Sequence, residues 1–174
     1  MEHGTYQVDV LDGKGSVIGS KARRDINKEA DIYHAIYVFI ITPERELLLS
    51  VIPPREDLPN LYVRQYGATM ATIRRSGETA HDAAVRGISR ELFIDDAEPV
   101  LVSQGMEQTD DGRRVLASVF YMEGPVPDSY SVIDIGQLES MSRAKLDGLL
   151  SVRPERVSPT LRLLWKKYSS KLPL

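Results

Sequence analysis

The chain has 174 residues, 42% hydrophobic and 27% charged, the balance of one soluble domain long enough to bury a proper core. Its lack of cysteine excludes a disulfide scaffold, a thiolate metal site and a cysteine nucleophile. A formal charge of −3, from 22 basic and 25 acidic residues, provides no global field toward nucleic acid or an anionic membrane.

The opening TYQVDVLDGKGSVIGSKAR reads as two short strands around the turn Asp12-Gly13-Lys14-Gly15. MEHGTYQVDV before it lacks a basic segment followed by an apolar one, so we expect no signal peptide and a cytoplasmic protein. HAIYVFIIT (34–42) and ELLLSVI (46–52) flank Pro43-Glu44-Arg45 as two further strands. The first is apolar at nearly every position, as in a central strand buried on both faces, and its run to Ile41 is shorter than the about 20 residues that span a bilayer. Three prolines in VIPPREDLPNL mark a loop, and an extended stretch is expected from about Val63 to Ile73. The clearest helix covers 79–92, with Thr79 as N-cap and Asp82 completing a capping box, and with Ala83, Ala84, Ile88 and Leu92 on its core face. PVLVSQG (99–105) and RVLASVFYM (114–122) are extended runs around a polar turn from Gln108 to Gly112. Ser142 and Ser158 cap two C-terminal helices, and Leu161, Leu164, Trp165 and Tyr168 form an i, i+3, i+4, i+7 stripe that assigns the single tryptophan to the core. The basic pairs Arg23-Arg24, Arg74-Arg75, Arg113-Arg114 and Lys166-Lys167 read as solvated surface. Strands interleaved with three helices give an α/β (α+β) domain.

Chemistry is concentrated in GETAHDAAVRGISRELFID (77–95), which resembles the Nudix box G-x5-E-x7-R-E-U-x-E-E-x-G-U, where U is apolar. Glu78 matches the first Glu, Arg86 follows with seven intervening residues, Ile88 fits U, and Glu91 fits the last Glu of the E-E pair. VDVLDGKGSVIG, YGATMATIRRSGE (66–78) and DIGQLESMSRAKL (134–146) are similar, in the right order, to segments of the isopentenyl-diphosphate-isomerase-like branch of that superfamily. The resemblance implies a single Nudix fold over 1–174, a mixed β-sheet sandwiched between helices. It has an N-terminal hairpin at about 5–22, the box loop and helix at 72–94, and C-terminal helices at about 142–170. Substrate choice would fall to the loops Pro53–Asn60 and Gly124–Ser131.

In that family, carboxylates at i, i+3 and i+4 of one helix face hold Mg²⁺, which neutralises a diphosphate and activates water. Here those positions carry Gly87, Arg90 and Glu91, so one carboxylate of three survives and a cation stands where a divalent ion would sit. Gly87 also costs roughly 1 kcal/mol of helix stability relative to Ala. The loop Gly before the box is Thr72, and the box's last Gly is Phe93. The isomerase's Cys position carries Ala71, and Tyr33 stands where that branch has a metal-binding His, with His34 one residue off, which argues against isomerisation.

Two readings remain. As an Mg- or Mn-dependent hydrolase of a diphosphate linkage in a nucleotide-like substrate, the chain would use Glu91, Glu78 and Arg86, with Glu91 and Glu78 as residual metal ligands and Glu107, Asp110, Asp111 or Asp134 as auxiliary acids. As an inactive module, it would bind a small phosphorylated molecule through Arg90, Arg74 and Arg75, with Glu78 and Arg86 bridging loop to helix. The double change Gly87→Glu with Arg90→Glu is expected to raise metal affinity, and a homodimer is the expected assembly.

Overall fold

The computed structural model describes residues 5–54 and 62–174. The specificity loop expected at Pro53–Asn60 lies outside the described residues from 55 onward.

Strands β1 (Gln7–Leu11) and β2 (Val17–Ala22) pair antiparallel as a separate two-stranded sheet. Its turn forms as the Asp-Gly signal predicts, with the Asp12 carboxylate accepting from the Lys14 and Ser16 amides and Gly15 at φ 86°. The main sheet runs β5 (Tyr66–Gly67), β4 (Leu47–Val51), β3 (Tyr33–Ile41), β8 (Arg114–Glu123), β7 (Val100–Gln108), with β6 (Met70–Ile73) on β3 and β9 (Gln137–Met141) on β4. β3 is central, as its apolar run implies, and pairs in parallel with β8 over its whole length while its other partners are antiparallel. The sheet is therefore mixed.

The stretch from Val63 to Ile73 is not one strand. Arg64 adopts φ 69°, β5 is two residues long, and the chain bends before β6. The cause is a change of partner along β3, which pairs with β6 at Ala35–Val38 and with β4 only at Ile40 and Ile41. At this fork the fully buried Thr69 hydroxyl accepts from the Ile40 amide at 2.9 Å and donates to the Leu48 carbonyl, replacing ladder bonds that neither strand can supply.

Alternation along β3 separates two layers. Ile36, Val38 and Ile40 pack with Ala83, Ala84, Ile88 and Leu92 of α1 (Ala80–Leu92). Phe39 and Ile41 pack with Leu146 of α2 (Arg143–Val152) and with Leu161, Leu164 and Trp165 of α3 (Pro159–Tyr168). Helices thus cover both faces. A third cluster, including Val8, Tyr33, Ala35, Ile73 and Val115, joins the hairpin to the sheet.

The helix caps follow the sequence. Thr79 and Asp82 exchange side chain to backbone bonds at 3.0 and 3.2 Å, a capping box worth about 1 kcal/mol. Ser142 and Ser158 cap α2 and α3, and Trp165 is buried with its indole donating to Asp147 at 2.7 Å. Gly136, at φ 76°, leads into β9 where a Cβ would lie 2.2 Å from the Val51 carbonyl, so no other residue fits that approach. Among the described residues no helix is long and apolar enough to cross a membrane.

Candidate functional site

The residues singled out in the box fall into two groups along α1. At its loop end, Glu78 is bound on every side. Arg86 donates to its carboxylate through Nε at 2.6 Å and Nη2 at 2.9 Å, and Nη2 also reaches the Ile73 carbonyl at 3.0 Å. The Arg75 amide donates to the same carboxylate at 2.9 Å, while Arg74 donates to the Glu78 carbonyl at 2.6 Å. Burial acts to raise the Glu78 carboxyl, but the Arg86 ion pair and the Arg75 amide outweigh it and hold the group below the usual carboxylate range. Loop, strand β6 and helix are therefore one hydrogen-bonded unit.

Arg74 and Arg113 correct the reading of the basic pairs as solvated surface. Arg74 lies half-buried and pairs with Asp9 of β1 at 2.7 Å, and Asp9 also accepts from the Ser76 hydroxyl, so the hairpin is tied to the box loop. Arg75 stacks on Tyr6 with its guanidinium 4.3 Å from the ring centroid. Arg113 pairs with Asp111 at 2.9 Å and lies over the Tyr62 ring.

One turn along α1 the arrangement differs. Gly87 is buried against β6, where an added Cβ would meet Met70 at 2.7 Å and Thr72 at 3.1 Å. Met70, itself 1% exposed, fills the space into which a side chain at position 87 would project. Glu91 is 3% exposed, its carboxylate accepts from Arg90 Nη2, and its carbonyl accepts from the Ser131 amide at 2.8 Å. The guanidinium of Arg90 thus supplies the positive charge that a metal would bring to Glu91.

The auxiliary acids do not converge on Glu91. Glu107 is buried and bound by Lys167 and Tyr168 of α3, Asp111 by Tyr62, Thr109 and Arg113, and Asp110 faces solvent near Arg162. Asp134 accepts from Ser131 in the turn that rests on Glu91. Among the described residues no group of three or more His, Asp or Glu side chains is placed to hold a metal ion. Since Glu78 is saturated by Arg86, Glu91 is paired with Arg90 and Met70 closes the Gly87 position, the residues present do not fit a carboxylate-bound divalent cation.

Sequence reasoning missed a polar chain on the α1 side of the sheet. His34 Nε2 lies 2.8 Å from the Ser118 hydroxyl, which donates at 2.8 Å to Gln104 on the edge strand. With that hydroxyl proton spent on Gln104, His34 carries its own proton on Nε2. Burial, reinforced by the positive charge of Arg74, lowers the His34 pKa from 6.5 to about 4, so the ring is neutral at pH 7. Ser118, alternating with Leu116 and Phe120 on an apolar strand, was the available signal.

No family model matches the sequence, and no curated protein does. Solved structures do. DR0079 from Deinococcus radiodurans, described as a hypothetical Nudix protein, superposes with a TM-score of 0.76 at 15% identity, over 93% of this chain and 99% of that one. A NUDIX hydrolase from Nitrosomonas europaea gives 0.56 at 16% identity, over 79% and 88%. The NUDIX domain of Shewanella oneidensis NrtR, solved with ADP ribose, gives 0.56 at 8% identity, over 82% and 91%. The fold is the Nudix fold.

Proposed function

We propose that this chain is a Nudix-fold protein that binds a small phosphorylated, nucleotide-like molecule through the arginines of α1 and its preceding loop, without a divalent metal and without turnover. One observation carries the reading. Of the five buried side-chain polar atoms that lack a hydrogen-bond partner among the described residues, four are guanidinium nitrogens, of Arg74, Arg75, Arg86 and Arg90. Each unmade bond costs roughly 1–3 kcal/mol, and phosphate oxygens are the acceptors that guanidinium donors match best. All four belong to one loop and helix. The ADP ribose bound by the NrtR domain supports the ligand class.

The Mg- or Mn-dependent hydrolase is the second reading, favoured by the carboxylate that Glu91 keeps on α1 and by the fold shared with a NUDIX hydrolase. It requires Glu91 to leave Arg90. Calorimetric titration with ADP ribose and with nucleoside diphosphates, in EDTA and then in Mg²⁺, tests both. Binding is expected to be unchanged by EDTA and weakened at least about tenfold in Arg90→Glu, the loss of one charged contact. Affinity that appears only with metal would overturn the proposal.

A further inference from the structure

The C-terminal end of α1 presents an exposed apolar surface. Phe93 caps the helix in the left-handed conformation at φ 56°, where the family has glycine, and its side chain is 55% exposed. A bulky side chain at positive φ costs about 1–2 kcal/mol, and at 55% exposure the partial burial of Phe93 offsets only part of it. Beside it, the turn that donates from Ser131 to the Glu91 carbonyl carries Val132 and Ile133, 65% and 61% exposed. Three large apolar side chains thus stand out where two segments meet.

The charge around them is of one sign. Residues 92–99 and 124–138 contain Asp95, Asp96, Glu98, Asp128 and Asp134 and no Lys or Arg. A twofold contact between copies would set these carboxylates against each other, and anionic lipid headgroups would be repelled in the same way. A partner with apolar anchors and positive flanks meets neither obstacle. We infer that the Phe93, Val132 and Ile133 surface docks a basic amphipathic helical segment of another protein, its apolar face on these three side chains and its Lys or Arg residues on the acidic rim.

The test titrates the full chain into fluorescein-labelled synthetic peptides about four turns long, with Leu at i, i+3, i+4 and i+7 and Lys elsewhere, or Glu in place of Lys. Fluorescence anisotropy is expected to show saturable binding of the Lys peptide, weakening as salt is raised, and none of the Glu peptide. The triple variant Phe93→Gly, Val132→Ser, Ile133→Ser should bind roughly tenfold more weakly or worse, and Asp96→Lys with Glu98→Lys should reverse the peptide preference. Circular dichroism confirms that each variant is folded, and the two variants alter separate features. No saturable binding, affinity unchanged in both variants, or a concentration-dependent dimer abolished by the triple variant would overturn the inference.

Discussion

At the loop end of α1, Arg86 grips Glu78 with two nitrogens and reaches the Ile73 carbonyl, whereas one turn along, Gly87 is closed by Met70 and Glu91 answers to Arg90. Both regions lie on one loop and helix, yet they are held in different ways. The first fixes the loop against helix and sheet and depends only on complementary charge and geometry. The second, in the family, concentrates negative charge that a metal must neutralise. Here a methionine lies against Gly87 and an arginine pairs with Glu91, while the loop stays tied to the helix by Glu78 and Arg86. A shared fold does not by itself carry a reaction.

Four changes would break or sharpen this contrast. The largest effect is expected from Glu78→Gln, which leaves Arg86 partly buried without its carboxylate and should lower stability by about 3 kcal/mol, read by urea unfolding. The second concerns the neutral His34. Its pKa is lower in the folded chain than in the unfolded one, so the unfolded chain takes up the proton first. Stability is fully present above the ordinary pKa of 6.5 and is lost as pH falls toward about 4. The loss should reach roughly 2–3 kcal/mol and be absent in His34→Gln, as unfolding curves across that window would show.

Third, Gly87→Glu should destabilise by about 1–3 kcal/mol through crowding of Met70 and Thr72, with part recovered by adding Met70→Ala. This sharpens the expectation that Gly87→Glu with Arg90→Glu raises metal affinity, since Met70 must also yield. The smallest change is a gain. Phe93→Gly should stabilise by about 0.5–1 kcal/mol, the relief of the left-handed cap less the greater freedom of glycine when unfolded, and thermal unfolding measures it.

Much of the architecture was legible because it rests on local chemistry. The Asp-Gly turn, the Thr79 capping box, Ser158 before Pro159 and the continuous apolar run of β3 each specify a conformation within a few residues. The break within 63–73 was not legible, since it follows from β3 changing partners at Ile40, a long-range event bridged by Thr69. The same holds at the site. The Glu78 and Arg86 pair was implied by the resemblance to the Nudix box, but Asp9 tying Arg74, Met70 against Gly87 and Gln104 beyond Ser118 bring together residues from distant strands. The burial of Glu107 under α3 likewise depends on packing between segments far apart in sequence.

The most direct test of the central claim, that α1 holds an internal ion pair and no metal, is a Mn²⁺ titration followed by electron paramagnetic resonance of the free ion, with hydrolysis of nucleoside diphosphates assayed on the same samples. The account predicts no stoichiometric Mn²⁺ binding and no hydrolysis, in wild type and in Glu91→Gln alike. Tight binding of one Mn²⁺ with metal-dependent hydrolysis, both lost in Glu91→Gln, would contradict it.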